Sequence, residues 1–188
     1  MSKKIVLPLT DKALEDLRIG DSLLLTGPIY VCRDAVHKKL TELMDKGEQL
    51  PLDIKGATIY YMGPSPTRPN GVIGAAGPTT SGRMDSYAPK LIAAGLKGMI
   101  GKGMRSQAVK EAIVKYKAVY LGAIGGAGAV ISDSIVESKI IAYGELGAEA
   151  LLLIQVNDFP VTVINDIYGG DLYQTGKAKY QVSSNPSI

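Results

Sequence analysis

The stretch GPTTSGRMDSY, residues 77–87, concentrates side chains that could bind an anion and act on it. Thr79 and the two hydroxyl residues after it offer hydrogen-bonding groups, and Arg83 offers a planar guanidinium that suits a carboxylate. The competing interpretation is that the hydroxyls, or Asp85, cap a following helix and that Arg83 is a surface cation. The residue types alone do not decide between these interpretations.

Two further cations lie where an apparent strand meets a turn. Arg33 lies in CRDAVH, residues 32–37, and Lys102 lies in the tripeptide GKG. Ligands of open α/β sheets gather where strand ends feed helix starts, because free N–H groups there favour anions. Arg33 could instead pair with Asp34 or another acid, and Lys102 could be an ordinary exposed lysine. The glycines of such turns also have a purely geometric explanation.

Cys32 and His37 are the only cysteine and the only histidine of the chain. Cys32 could be a thiol of low pKa and His37 a general acid or base. The sequence favours simpler roles, a small buried residue at a strand end for Cys32 and a partly exposed helix residue for His37. One thiol and one imidazole cannot by themselves hold a zinc ion or an iron–sulfur cluster, so we predict no metal site on this chain.

Composition excludes several classes of function. The net charge of +3 is small and the lysines form no basic stripe, which argues against nucleic-acid binding. The longest apolar run, residues 150–154, is too short to span a membrane, and the first ten residues do not resemble a signal peptide. A single cysteine fits a reducing compartment, so we expect a cytoplasmic protein.

Nucleotide-binding motifs are incomplete. A phosphate-binding loop that included Gly101 and Lys102 would need glycine where Leu96 stands, and serine or threonine where Gly103 stands. The GGAG stretch at 125–128 lacks the third glycine of the dinucleotide fingerprint. Nucleotide binding is therefore only a weak alternative.

Apolar runs alternate with amphipathic stretches along the first two thirds of the chain, which predicts an α/β fold with a mixed, layered sheet. The predicted helices cover residues 10–17, 33–46, about 85–94, from 107 after a cap at 106, and a stretch after 125. The predicted strands cover residues 22–27, 57–63, 72–77, 98–103 and 118–124. A proline-rich loop is predicted at 64–71.

The last third of the chain is strand-like. Residues 139–146, 149–158 and 159–166 are rich in β-branched and apolar side chains, and the last two segments are predicted to pair antiparallel around Asp158. The sequence YGGD, 168–171, predicts a turn before another short strand. We predict one domain, 1–188, with a frayed tail at about 182–188.

The order of these motifs resembles a known family. IGAAGPTTSGRMDSY, CRDAVHKKL, MIGKG, LGAIGGAGA, AYGELGAEA and VNDFPVTVINDIYGGDLY resemble the β subunit of iron–sulfur-dependent hydro-lyases, the class I fumarate hydratases and L-tartrate dehydratases. In single-chain members the same segment is the C-terminal domain. The resemblance covers nearly the whole chain, and GPTTSGRMD is specific to the family.

The resemblance implies a swivelling β/β/α domain whose active site is shared with an α subunit. The cysteines of that partner would hold a [4Fe–4S] cluster, whose open iron acts as a Lewis acid on the leaving hydroxyl. The implied reaction is the reversible hydration of a C4 dicarboxylate, malate to fumarate in the tricarboxylic acid cycle, within a hetero- or homo-oligomer. L-tartrate dehydration is the close alternative, and a non-catalytic anion-binding or regulatory module is the alternative of another class.

The resemblance also assigns roles to individual residues. Thr79 matches the general base, Arg83 and Arg33 match two carboxylate-binding arginines, and Lys102 matches a substrate-binding lysine. A dicarboxylate needs at least two fixed cations, and the three cations lie at turns that can converge. An alcohol such as Thr79 is a poor base unless a cation and a helix N-terminus stabilise its alkoxide. Arg83 and a helix beginning near Asp85 could supply both.

Overall fold

The structure is a computed structural model that describes residues 2–63, 73–74, 76–123 and 128–180. The strands of its sheet are β1 (Lys3–Val6), β2 (Ser22–Val31), β3 (Thr58–Tyr60), β4 (Gly98–Gly101), β5 (Val119–Gly122), β6 (Ile135–Ala142) and β7 (Leu151–Asn165). The α-helices are α1 (Asp11–Glu15), α2 (Asp34–Lys46), α3 (Ala88–Ala93), α4 (Gln107–Tyr116), α5 (Gly128–Asp133) and α6 (Leu172–Tyr180). Two 3-10 helices cover Ser81–Met84 and Gly144–Glu149.

The sheet is mixed, as predicted. Strands β1 to β5 pair in chain order and run parallel, whereas β7 runs antiparallel to β2, β5 and β6. Because β7 pairs with both β5 and β2, the strands β2, β3, β4, β5 and β7 close into a ring. The predicted mixed α/β class is therefore confirmed.

Two apolar clusters fill the two sides of this ring. Strand side chains alternate between faces, so Tyr60 belongs to the cluster within the ring, whereas Ile59 belongs to the cluster under the helices. Phe159 of β7 meets Tyr60 edge to face, with ring centroids 5.4 Å apart. On the outside, α2, α3 and α4 contribute buried residues such as Leu40, Leu91 and Ile113.

The helix signals in the sequence were accurate where they were local. Thr10 caps α1, since its side chain accepts a hydrogen bond from the Ala13 N–H. Ser106 caps α4 in the same way. Helix α2 ends at Gly47, whose φ of 67° lies in the left-handed region that favours glycine. The other elements confirmed near their predicted positions are β2, β3, β4, β5 and α5.

Two predictions for the last third are wrong. Residues 149–166 do not form a hairpin around Asp158, because β7 is a single strand of 15 residues that passes through it. Asp158 adopts a φ of 50°, and its N–H donates to the Thr26 hydroxyl, so the strand bulges without reversing. The expected last strand is helix α6, because the Asp171 carboxylate accepts hydrogen bonds from the N–H groups of Tyr173 and Gln174.

Other boundaries also differ from the predictions. The described residues of the stretch 72–77 are not in a strand, and β6 ends before the second 3-10 helix. The helix expected from about residue 85 begins at Ala88, after the 3-10 helix Ser81–Met84. The predicted loop at 64–71, the glycine turn at 124–127 and the predicted frayed tail lie outside the described residues. Within the described ranges, no helix is long and apolar enough to cross a membrane.

Candidate active site

Three of the four residues predicted to act on a substrate lie at one edge of the sheet. Arg33 follows the end of β2, and Lys102 follows the end of β4 directly. Thr79 hydrogen-bonds to the main chain just beyond β3 and just beyond β4. Because β2, β3 and β4 are parallel, their carboxyl ends meet at the same edge. The turns after β2 and β4 therefore meet at this edge, whereas Arg83 is carried by the 3-10 helix Ser81–Met84.

The backbone of Thr79 is fixed by the sheet. Its N–H donates to the Tyr61 carbonyl at 2.8 Å, and its carbonyl accepts from the Lys102 N–H at 3.3 Å. The Lys102 carbonyl in turn accepts from the Ser81 N–H at 2.9 Å. Residues 79–81 thus continue the sheet between the ends of β3 and β4. Thr79 is half-buried, and its place does not depend on a free loop.

Ser81 explains why a glycine precedes Lys102. A Cβ atom on Gly101 would lie 2.0 Å from the Ser81 Oγ, so only glycine allows this close approach. The Ser81 hydroxyl is buried and lies 2.9 Å from the Tyr120 hydroxyl. Ser81 is therefore a buried structural residue and neither a helix cap nor a ligand-facing hydroxyl.

Arg83 lies on the 3-10 helix Ser81–Met84, and its side chain is half-exposed. Its Nη2 lies 2.6 Å from Asp34 Oδ2, and its Nε donates to Asp34 Oδ1 at 3.2 Å. The guanidinium therefore pairs with a carboxylate through one hydrogen bond, from Nε, and one charge contact, from Nη2, and a substrate carboxylate could take the same place. Asp34 is the residue next to Arg33, so Arg83 is brought beside the start of α2.

Arg33 also holds a carboxylate of its own chain. Its Nη2 lies 3.3 Å from Glu149 Oε1 and 3.4 Å from the Ala148 carbonyl oxygen. Gly63 packs so closely that a Cβ atom there would lie 2.8 Å from the Arg33 Nη1. The alternative in which Arg33 pairs with an acid is thus observed, but the acid is Glu149 and not Asp34.

Lys102 is exposed, and its main chain is paired in the sheet with Thr80. The parallel bridge to Thr80 places the Lys102 backbone directly beside the Thr79 segment. The structure therefore brings Thr79 and Lys102 together and joins Arg33 to Arg83 through the residue Asp34. We name Arg33, Arg83 and Lys102 the strand-end cations.

His37 belongs to a group of buried residues beneath this edge. We name Cys32, His37, Tyr61, Arg105 and Tyr120 the buried polar cluster. The expectation of a partly exposed histidine is wrong, because His37 is 0% exposed and packs its ring against Tyr61. Burial lowers the pKa of His37 to about 4. Its Nδ1 lies 2.8 Å from the Arg33 carbonyl oxygen, so the neutral imidazole holds the first turn of α2.

Cys32 is buried at the end of β2, which confirms the structural interpretation. Its Sγ lies 3.6 Å from the His37 Nδ1, and burial raises the pKa of the thiol, so a reactive thiolate is disfavoured. In the part of the chain that the structure describes, no group of three or more His, Cys, Asp and Glu side chains could hold a metal ion.

Sequence reasoning missed Arg105. Its side chain is fully buried, and its Nε donates to Asp85 Oδ1 at 2.7 Å. The prediction that Asp85 caps a helix is wrong, because its two carboxylate oxygens accept hydrogen bonds from Arg105 and from the Ser106 N–H. A cation just before a helix cap usually lies in solvent, so the sequence around Arg105 does not indicate burial. Its ion-pair partner Asp85 was the only sequence signal that could have pointed to it.

The chain is similar to the C-terminal part of class I fumarate hydratases. The family described as Fumarase C-terminus matches residues 2–176. The aerobic class I fumarate hydratase of Escherichia coli K12 is 45% identical over 163 residues, which cover 86% of this chain and 30% of that protein. Fumarate hydratase 2 of Leishmania major is 41% identical over 85% of this chain and 28% of that protein. The chain therefore spans less than a third of the length of these fumarate hydratases.

A relative of different length covers the chain almost end to end. The L(+)-tartrate dehydratase subunit beta of Escherichia coli K12 is 31% identical over 100% of this chain and 94% of that subunit. The shared region thus occurs both as part of a longer polypeptide and as a polypeptide of about this length.

Proposed function

This chain belongs to the Fumarase C-terminus family, and we propose that it is the β subunit of a hydro-lyase that acts on a C4 dicarboxylate. Malate and fumarate are the proposed pair, because the fumarate hydratases reach the higher identity, at 45%. Residues 1–188 form one domain of the swivelling β/β/α type in this proposal. A single cysteine fits a reducing compartment, so the proposal places the reaction in the cytoplasm, within the tricarboxylic acid cycle.

One observation carries the proposal: Arg33, after the end of β2, and Arg83, on the 3-10 helix beside the start of α2, each hold a carboxylate. A C4 dicarboxylate presents two carboxylates on one short chain, and two neighbouring guanidinium groups match that pattern. In the proposed complex the substrate carboxylates replace Glu149 on Arg33 and Asp34 on Arg83. Lys102 adds a third positive charge at the same edge.

Thr79 is the proposed base. Its Oγ1 takes a proton from the carbon that neighbours the hydroxyl-bearing carbon, and the hydroxyl then leaves as water after protonation by the partner subunit. Before this step the Thr79 hydroxyl gives its own proton to water, and in this proposal the positive charges of Arg83 and Lys102 favour the resulting alkoxide. A helix dipole does not contribute, because α3 begins only at Ala88.

The iron–sulfur cluster implied by the resemblance does not fit the described residues of this chain. Its one cysteine is buried beside His37, and the described residues contain no candidate metal group. We therefore assign the cluster to an α subunit, together with the general acid. In the steps above, this chain binds the substrate, orients it and accepts the proton from carbon.

A second candidate is the β subunit of L-tartrate dehydratase. It is favoured by the coverage of 94% of the Escherichia coli L(+)-tartrate dehydratase subunit beta, although the identity is only 31%. Tartrate carries one hydroxyl more than malate, and both substrates present the two carboxylates that the arginines match. Only a substrate panel separates the two candidates.

The test is reconstitution under anaerobic conditions. The chain is purified alone and with its α partner, and hydration of fumarate and dehydration of malate and L-tartrate are measured. We expect turnover only from the complex, with malate and fumarate preferred. Turnover by the chain alone would overturn the shared site. A stable complex that binds dicarboxylates without turnover would favour the non-catalytic module.

A further inference from the structure

Arg105 is a buried cation that the proposed reaction does not use. Its side chain is 0% exposed, and it lies between β4 and α4, just behind the segment that carries Thr79 and Arg83. Burying a guanidinium costs several kcal/mol of desolvation. Within the described residues, Arg105 Nη2 has no hydrogen-bond partner. Stability alone is therefore a weak explanation for a charge at this position.

Residues 81–85 form the turn that carries Arg83, and one end of this turn is held by Arg105 directly. Asp85 follows the 3-10 helix Ser81–Met84 and accepts a hydrogen bond of 2.7 Å from Arg105 Nε. Its other carboxylate oxygen accepts from the Ser106 N–H, at the start of α4. The Asp85 carboxylate is thus bound on both sides, and the end of the turn is fixed to the chain before α4.

The other end of the turn is held through Tyr120. The Tyr120 hydroxyl lies 2.9 Å from the Ser81 Oγ and donates to the Gly103 carbonyl at 2.9 Å. The guanidinium carbon of Arg105 lies 4.9 Å from the centroid of the Tyr120 ring, within the range of a cation–π contact. Arg105 therefore contacts the groups that hold both ends of residues 81–85, and Arg83 lies between them.

We propose that Arg105 is a positioning residue: its ion pair with Asp85 and its contact with Tyr120 fix the 81–85 turn, so that Arg83 and the adjoining Thr79 segment meet the substrate in one geometry. This proposal rests on the proposed function. It concerns the shape of the turn, so it can also be tested without turnover.

The kinetic test uses Arg105→Lys, Asp85→Asn and the double variant in the α/β complex. Lysine keeps the charge but loses the planar fork and its contact with Tyr120. We expect kcat/KM to fall about tenfold to a hundredfold, since small displacements of binding groups have effects of this size. Because both residues act through one contact, the double variant should lose little more than either single variant.

A second buried ion pair supplies the matched control. Lys110 Nζ lies 2.6 Å from Asp171 Oδ2, and the two side chains are 18% and 7% exposed. Neither residue hydrogen-bonds to residues 79–85 in the described contacts. Lys110→Met should lower the melting temperature and leave kcat and KM of the folded complex unchanged. Equal kinetic effects from Lys110→Met and Arg105→Lys would overturn the positioning role.

Hydrogen exchange gives a reading that does not depend on activity. In the full chain the N–H groups of Thr79, Ser81 and Asp85 are hydrogen-bonded to main-chain carbonyls. Arg105→Lys should speed their exchange, whereas Lys110→Met should not. Unchanged exchange in Arg105→Lys would overturn the proposal. If the wild-type complex lacks hydro-lyase activity, the proposed function fails, and the exchange result still decides the role of Arg105.

Discussion

Two arginine–aspartate ion pairs involve Arg83 and Asp85, which are two residues apart in the chain. The pairs differ mainly in their exposure to water. The Arg83 and Asp34 side chains are 52% and 30% exposed, whereas those of Arg105 and Asp85 are 0% and 13% exposed. An exposed pair contributes about 0–1 kcal/mol, so another carboxylate can replace Asp34 at little cost. Breaking a buried pair costs about 3–5 kcal/mol, so Asp85 is not exchangeable.

The same contrast separates the strand-end cations from the buried polar cluster. Arg83 holds Asp34 at the surface, and the mostly buried Arg33 holds the partly exposed Glu149, so a ligand carboxylate can exchange with either acid. In the cluster, burial lowers the pKa of His37 and raises the pKa of Tyr120, so both groups stay neutral near pH 7. We conclude that the strand-end cations are suited to binding a ligand and that the buried polar cluster is suited to holding them in place.

The largest expected effect is that of Thr79, which lies beside the strand-end cation Lys102. Thr79→Ala in the α/β complex should lower kcat about a hundredfold to ten-thousandfold, the usual loss for a general base. Folding should persist, because the hydrogen bonds of Thr79 to the sheet come from its main chain. Steady-state kinetics and a melting curve measure the two quantities. Thr79→Ser keeps the hydroxyl and should retain most of the activity, and near-normal turnover of the alanine variant would remove Thr79 as the base.

The next effect tests the buried polar cluster through the pH dependence of the free energy of unfolding. The pKa of His37 is about 4 in the folded chain, against 6.5 for an unperturbed histidine, so the unfolded chain binds the proton more tightly. The free energy of unfolding should therefore fall as pH decreases from about 6.5 to about 4, by on the order of 3 kcal/mol. Denaturant titrations of wild type and His37→Gln measure it. The variant should lose this part of the slope, and an equal slope would mean that His37 is not buried as described.

A smaller effect is expected for the fork of Arg83. Arg83→Lys keeps the charge but loses the two-nitrogen contact, so KM should rise and kcat fall, with kcat/KM about tenfold to a hundredfold lower. The melting temperature should hardly change, because the pair with Asp34 is exposed. Lys38→Met is the control, since Lys38 is an exposed cation on α2 that pairs with Glu42. An unchanged KM in Arg83→Lys would show that Arg83 does not touch the substrate.

The smallest effect is a gain in binding. Glu149→Gln removes the acid that pairs with Arg33, so dicarboxylates should bind about twofold to fivefold more tightly, since Glu149 is partly exposed and its 3.3 Å contact with Arg33 is loose. The gain should shrink at high salt. Glu145→Gln makes the same charge change in the same 3-10 helix and should have less effect. Weaker binding by the Glu149 variant would mean that Glu149 assists the substrate site instead of competing for it.

The sequence predicted the elements whose signals are local. The cap at Ser106 and the stop at Gly47 depend on neighbouring residues only, and both were found. The continuity of β7 was missed, because aspartate at position 158 is typical of a turn. The strand continues through it because β7 pairs with β2, which is distant in sequence. Arg105 was missed for the same reason, since its burial depends on Asp85 and on aromatic rings that are remote in sequence.

The closure of the ring by β7 bears on how the chain folds during its synthesis. Ser22 pairs with Thr162, so this part of the ladder cannot form until nearly all of the described chain has left the ribosome. Pairings of such long range form slowly, because the entropy of the intervening chain is lost before the contact is gained. A nascent chain that ends before Leu151 leaves the edges of β2 and β5 unpaired, and open edges invite aggregation. Slow synthesis of the residues up to Asn165 would therefore leave those edges open for longer.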